Sequence, residues 1–274
     1  MSVTITAADI NKLRQTTGAG MLDCRKALTE SNGDFEAAID WLRKQGQKVA
    51  AKRSDREAKE GVVIAQTTAD HKSGIVLCIS CETDFVSKNA DFVAFAQSIA
   101  DAAIANDVKT AEELNGVTVN GAKVEELIND KLAAIGEKIA VSKFERVDAP
   151  YVASYIHGAN RMGVLVSMTK EAAEAGKDVA MQIAAMNPLA VDETSISQET
   201  KDREKAIAIE MIKAEGKPAE MEEKIADGKM NKFFKDNTLM HQAFVKDNSK
   251  SVADYLKSVD ADLKVTDFKR VALG

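Results

Sequence analysis

Apolar positions recur at helical spacing through the first 46 residues. Thr6-Ala-Ala-Asp9 has the form of a capping box, and Ile10 and Leu13 follow on one face. Gly18-Ala-Gly20 ends that helix. Met21, Cys24 and Leu28 then lie at i, i+3 and i+7, a second apolar stripe. Asn32-Gly33 breaks the chain and Asp34 is placed to cap a third helix. Its stripe is Phe35, Ala38, Ile39 and Leu42, with Trp41 beside it. No helix this short is stable alone, so the pattern predicts a three-helix bundle over residues 1–46. Residues 47–60 carry little apolar matter and read as a charged linker or solvated helix.

From Gly61 the period changes. Val62 to Ala65 and the β-branched run Ile75 to Cys81 predict two strands around a turn. Glu82 to Lys88 reads as a loop. A helix with Phe92, Phe95, Ile99 and Ala103 on one face follows, then a helix from about Ala122 to Ile135 and a strand over residues 139–148. The pattern recurs after Pro150: strand Tyr151 to Ile156, turn His157 to Arg161, strand Gly163 to Met168, and a helix ending near Pro188. Gly74-Ile-Val-Leu-Cys-Ile-Ser80 and Gly163-Val-Leu-Val-Ser-Met-Thr169 are alike. The expectation is an α+β protein with two related subdomains, 61–149 and 150–196, each packing helices on one face of an antiparallel sheet. The first copy carries Thr83-Asp84-Phe85-Val86 after its second strand. The second has no equivalent aromatic.

Residues 197–235 are helical and highly charged, broken at Gly216-Lys217-Pro218. Ile207, Met211 and Ala214 form one narrow stripe, and Met221, Ile225 and Gly228 another, which predicts an antiparallel helical hairpin. Residues 236–274 return to a helix, Val252 to Val259, and a strand, Leu263 to Leu273. That strand is expected to rejoin the second subdomain, making the hairpin an insertion.

Charge and chemistry narrow the function. Lys and Arg total 37 against 43 Asp and Glu, a net charge of −6, which argues against a nucleic-acid coat or a basic membrane binder. The one basic stretch, Arg43 to Glu60, holds seven Lys or Arg and three acids. Charges interrupt every apolar run, and the N-terminus has no leader pattern, so the expected compartment is cytoplasmic. No phosphate-binding glycine loop, dinucleotide fingerprint or paired metal-binding histidines occur. His71, His157 and His241 are widely spaced. Cys78 and Cys81 sit at an odd offset in a strand, hence on opposite faces, unsuited to share a metal or a disulfide. The chemistry points to a binding protein rather than an enzyme.

Two segments carry a specific likeness. Thr17-Gly-Ala-Gly-Met-Leu-Asp-Cys-Arg-Lys-Ala-Leu28, with Asn32-Gly-Asp34 and Ala37 to Leu42, is the first; Thr83-Asp84-Phe85-Val86 is the second. With His157-Gly158, Gly163 to Val166 and the late hairpin, in order, the chain resembles the bacterial translation elongation factor Ts family. Thr266-Asp267-Phe268 repeats the tripeptide in the last strand, so the tripeptide means little outside its strand–loop–helix setting. The resemblance implies a nucleotide exchange factor for the GTPase elongation factor Tu. It implies a UBA-like N-terminal unit whose Arg14, Met21 and Leu22 contact the GTPase domain. It implies that Thr83, Asp84, Phe85 and Val86 enter the nucleotide site and displace Mg²⁺, and that His157 and Arg161 belong to a surface gripping the third domain of Tu. Expected partners are thus Tu, with no direct nucleotide binding, no nucleic acid, no membrane and no cofactor. Many family members carry a further C-terminal helix, which this sequence, ending at Gly274, is expected to lack. The hairpin reads equally as a spacer, a Tu contact or a dimer seam. Two other classes differ in their consequences. A peptide-binding module in residues 1–46 predicts binding that survives loss of residues 61–274. A nucleic-acid factor predicts steep salt dependence.

Overall fold

A computed structural model describes residues 4–53, 55–216 and 218–274. Met1 to Val3 of the N-terminus, Ser54 of the linker and Lys217 of the hairpin turn lie outside them. Three helices open the chain: α1 (Ala7–Thr17), α2 (Met21–Glu30) and α3 (Phe35–Arg53). The capping box forms as the spacing requires, with Thr6 accepting the Asp9 N–H and Asp9 reaching back to Thr6. Leu13, Cys24, Ala27, Leu28, Ala38 and Leu42 make the bundle core. Met21 does not join it, so the second stripe is narrower than its spacing suggests. α3 does not stop near residue 46. It runs on to Arg53, and part of the expected linker is the end of this helix. Gly46 lets it pass close to the core: a Cβ there would stand 2.8 Å from that of Ala133.

The two copies fold alike. In the first, β1 (Glu60–Thr67) and β2 (Ser73–Cys81) form a hairpin. α4 (Asp84–Ser87) and α5 (Ala90–Ala105) follow, then α6 (Ala111–Gly116), the small hairpin β3 (Thr118–Val119) and β4 (Ala122–Lys123), α7 (Val124–Ile135) and β5 (Ala140–Asp148). In the second, β6 (Tyr151–His157) and β7 (Met162–Met168) form the hairpin and α8 (Ala173–Met186) the helix. α9 (Gln198–Ala214) and α10 (Ala219–Asn237) intervene. β8 (Ala243–Phe244), β9 (Asp247–Ser251), α11 (Val252–Val259) and β10 (Val265–Ala272) complete the chain. The sheets are ordered β1-β2-β5 and β10-β7-β6, both antiparallel. In each, the third strand returns to lie beside the second, so the repeat read in the strands extends to topology. The fold class is α+β.

Both central strands are buried on both faces. One face of the first sheet packs under α5 and α7 through Ile75, Leu77, Ile79, Phe92, Ile99 and Leu132. One face of the second packs under α8 and α11 through Val164, Val166, Met168, Val179, Ile183 and Leu256. The remaining faces meet each other, with Val63, Val76, Cys78, Val152, Leu165 and Val271 in the seam. Sheet-on-sheet packing was the missing step in the sequence reading, although runs without polar alternation are the mark of strands covered twice. The matched glycines serve this seam. A Cβ on Gly74 would stand 2.8 Å from Val152, and one on Gly163 would stand 2.9 Å from both Val63 and Val76.

Several other elements differ from expectation. The loop after β2 contains a full helical turn, α4. The stretch 106–123 holds α6 and the β3–β4 hairpin, which no strong period announces, and α7 starts at Val124 rather than Ala122. The seam of the α9–α10 hairpin is Ala208, Ile212, Ala226 and Met230; Ile207, Met211 and Met221 are exposed. The true stripe lies about one position C-terminal on α9, and alanines carry half of it.

Cys78 faces the inter-sheet seam and Cys81 the helical layer, as an odd offset dictates. Burial pushes both thiols up, Cys81 to about 12 with the Glu137 charge adding to it. Cys24 is buried as well. We expect none of the three thiols to react with an aromatic disulfide reagent at pH 7 in the native protein, and all three to react in denaturant. Fast labelling without denaturant would contradict this packing.

Candidate functional site

The segment Thr83–Val86 leaves the end of β2 and is fixed by two carboxylates that cross between chain corners. Glu137 follows Gly136, the left-handed residue that ends α7. Its Oε2 accepts the backbone N–H of Glu82 at 3.1 Å and of Thr83 at 3.0 Å, and its Oε1 accepts the Thr83 hydroxyl at 2.6 Å. In return, Glu82 Oε1 accepts the Lys138 N–H at 2.6 Å and Arg53 Nη1 at 2.7 Å. Each corner's carboxylate therefore holds the other corner's backbone. Cys81 Sγ adds a weak bond to the Thr83 carbonyl at 3.3 Å.

The Lys138 N–H, followed by Arg53 and Arg56, holds the Glu82 carboxyl below its usual range. A depressed carboxyl contributes its stabilisation above the unfolded value and loses it as pH falls through the folded one. The Lys138 amide resonance is therefore expected to titrate with a midpoint below that of a solvated glutamate. A midpoint at or above the ordinary value would mean that Glu82 does not hold this corner.

α4 then separates its side chains by function. Val86 turns inward against the first subdomain's core. Phe85, one residue earlier and so about 100° around the helix, points out and is 86% exposed. Phe85 is therefore not a core residue. Asp84 pairs with Lys88 at 2.7 Å, and this contact holds its carboxyl below the usual range, so it is ionised at neutral pH. Asn89 accepts the Asp91 and Phe92 N–H groups and starts α5 cleanly after the turn. Beside Phe85 a groove of about 680 Å³ runs between the three-helix bundle and the core, lined by Ile39, Val86, Phe92, Phe95 and Ile135 among others. In contrast, Phe268 of the second Thr-Asp-Phe lies half-buried in β10. The setting, not the tripeptide, exposes an aromatic ring.

The other expected residues fall on two further surfaces. Arg14 is exposed in the last turn of α1, and Met21 and Leu22 begin α2 at 47% and 74% exposure. They do not line the Phe85 groove, although Thr17 and Gly18 between them do. His157 is exposed at the end of β6, with Nδ1 3.0 Å from the Tyr155 hydroxyl. Gly158, Ala159 and Asn160 all adopt positive φ, and this tight turn docks on β1. The Val63 N–H donates to the Asn160 carbonyl at 2.7 Å, and Asn160 Nδ2 to the Val63 carbonyl at 3.1 Å. Arg161 reaches Glu60 at 2.9 Å. Glu60 is the register partner of Cys81, so the turn ends beside the base of the Phe85 segment. The fold thus brings Arg161 and Thr83 to one end of the paired sheets, far apart as they are in sequence. Glu82, Glu137 and Arg53 were missed, since no local pattern marks a contact between residues 54 and 55 positions apart. Among the described residues, no group of three or more His, Cys, Asp or Glu is placed to hold a metal.

Comparison with known proteins decides the family. The family model described as Elongation factor TS matches residues 82–274. Elongation factor Ts of Christiangramia forsetii is 51% identical over 273 residues, spanning 98% of this chain and 99% of that protein. The chain belongs to the elongation factor Ts family. Elongation factor Ts of Flavobacterium psychrophilum is 50% identical across 99% of both chains. That of Clostridium perfringens is 43% identical over 98% of this chain and 93% of its own. The family model begins at Glu82, the residue that immediately precedes the exposed segment and whose carboxylate accepts the Lys138 N–H. The full-length matches extend the elongation factor Ts likeness across the three-helix bundle. Among the described residues, no helix is long and apolar enough to cross a membrane.

Proposed function

We propose that this member of the elongation factor Ts family is a guanine nucleotide exchange factor for elongation factor Tu. It binds Tu carrying GDP, displaces Mg²⁺, promotes GDP release and departs as GTP rebinds. The single observation that carries the mechanism is Phe85, 86% exposed on a helical turn whose base is pinned by reciprocal hydrogen bonds. An exposed aromatic ring on a backbone fixed at its base is suited to enter a partner. Little backbone ordering entropy remains to be lost when it binds.

The Mg²⁺ in such a GTPase ties the nucleotide phosphates to the protein. A ring driven between partner elements favours a shape in which those ties are broken. Burial of a Phe side chain contributes roughly 1.5–3 kcal/mol. Nanomolar GDP binding corresponds to about −12 kcal/mol, so the wedge alone does not expel it. Arg14, Met21 and Leu22 on one side and His157 and Arg161 on the other would supply further contact. Asp84, ionised beside the ring, either accepts partner hydrogen bonds or repels the phosphates. Linkage requires GDP to weaken the factor by the same ratio that the factor weakens GDP. This chain carries out no bond-making step and binds no nucleotide itself.

Mixing the protein with Tu–GDP, removing free nucleotide by gel filtration and assaying the complex for GDP tests the reading. A Tu complex depleted of GDP is expected. A complex retaining one GDP per Tu, or no complex with a cognate Tu, would overturn it.

A further inference from the structure

The Phe85 segment is tied to the three-helix bundle as well as to its own subdomain. Arg53 is the last residue of α3, a single helix of 19 residues. The first half of α3 supplies Ala38 and Leu42 to the bundle core, its middle crosses α7 at Gly46, and its last residue meets Glu82. At about 1.5 Å per residue the helix spans roughly 28 Å, long enough to carry a movement from bundle to core. We propose that Arg53 is a positioning residue that couples the seating of the three-helix bundle to the aim of Phe85. This rests on the exchange reading above.

The geometry makes the link a chain without gaps. Arg53 Nη1 lies 2.7 Å from Glu82 Oε1, the same oxygen that accepts the Lys138 N–H. Lys138 follows Glu137, whose carboxylate holds the Glu82 and Thr83 N–H groups and the Thr83 hydroxyl. Thr83 immediately precedes α4, which carries Phe85. The Arg53 and Glu82 side chains are 28% and 14% exposed, so the pair is shielded from most solvent screening. Arg56 stands 3.6 Å from the second oxygen of Glu82, outside good hydrogen-bond range. It leaves Arg53 as the charge that sets the carboxylate's orientation. A charge-assisted bond of this kind fixes direction as well as distance. An ordinary surface ion pair would transmit nothing and contribute little.

The test uses the full-length protein with a fluorinated phenylalanine placed at position 85 alone, and the variants Arg53→Gln and Arg53→Lys. In the free protein, Arg53→Gln is expected to shift or broaden the fluorine resonance with the fold retained and melting only slightly lowered, and Arg53→Lys to restore part of the resonance. In GDP release from Tu, carried out without the label, Arg53→Gln is expected to lower the rate at saturating factor about three- to tenfold. The half-saturating concentration should move less than twofold. In a Phe85→Ala background the same substitution should have no further effect, since no wedge remains to be aimed. An unmoved fluorine resonance, or the same loss in both backgrounds, would overturn the proposal. Failure of the parent protein to release GDP would overturn the exchange reading instead, and the fluorine signal would still decide the positioning role.

Discussion

Phe85→Ala is expected to slow GDP release from Tu by roughly 10- to 150-fold while leaving a complex with Tu detectable. The range follows from the burial value of a Phe side chain, roughly 1.5–3 kcal/mol, at about 1.4 kcal/mol per tenfold. It assumes the ring is buried in the exchange-competent state alone. The folded protein should not suffer. Phe85 is 86% exposed and, unlike its neighbour Val86, takes no part in the core, so its removal leaves no cavity. Melting should be unchanged, because the ring meets water in the folded and the unfolded chain alike, or slightly raised by the higher helix propensity of alanine in α4. Rates from stopped-flow fluorescence of labelled GDP and affinities by titration separate the two effects. Equal exchange by Phe85→Ala and the parent would remove this segment from the mechanism.

Gly163→Val is expected to be among the most damaging single changes to stability. Its Cβ would stand 2.9 Å from Val63 and from Val76, and 3.1 Å from the Cβ of Ala65. Gly163 is not among the residues at positive φ, so volume rather than backbone conformation decides the outcome. Overpacking of this kind costs about 1–3 kcal/mol and at times more. Here both sheets would have to separate, with loss of the seam made by Val152, Leu165 and Val271. Gly228→Ala in α10 is the opposite case. Nothing lies within 4 Å of the added methyl, and a helical Gly→Ala change is expected to stabilise by about 0.5–1 kcal/mol. Urea midpoints for the two variants should move in opposite directions. A neutral Gly163→Val would mean that the sheets are not packed face to face at this point.

Much of this architecture was legible before any coordinates. The Thr6–Asp9 capping box, the stripe of α3 and the matched strands around Gly74 and Gly163 each encode local geometry within a few residues. The repeat was visible because both copies need the same double-sided apolar strand. What that strand packs against was not visible, since a continuous apolar run specifies burial on two faces and names no partner. The hairpin seam was misplaced because Ala208 and Ala226 bury as completely as larger residues but weigh little in an apolar pattern. The exposed setting of Thr83–Val86 was placed by resemblance, and the ring's exposure emerged only with α4. Its anchors could not be read at all. Glu137 and Arg53 lie 54 and 30 residues from Thr83 in sequence, on helix ends rich in other charges, and only folding selects them.

In the proposed function, this chain opens the nucleotide site of elongation factor Tu. The most direct measurement follows release of fluorescent GDP from a cognate Tu by stopped flow as the concentration of this protein rises, at two Mg²⁺ concentrations. Release is expected to accelerate with factor, to saturate, and to show its largest acceleration where Mg²⁺ is abundant and the intrinsic rate slowest. Release at the intrinsic rate of Tu at every concentration of the folded protein would contradict it.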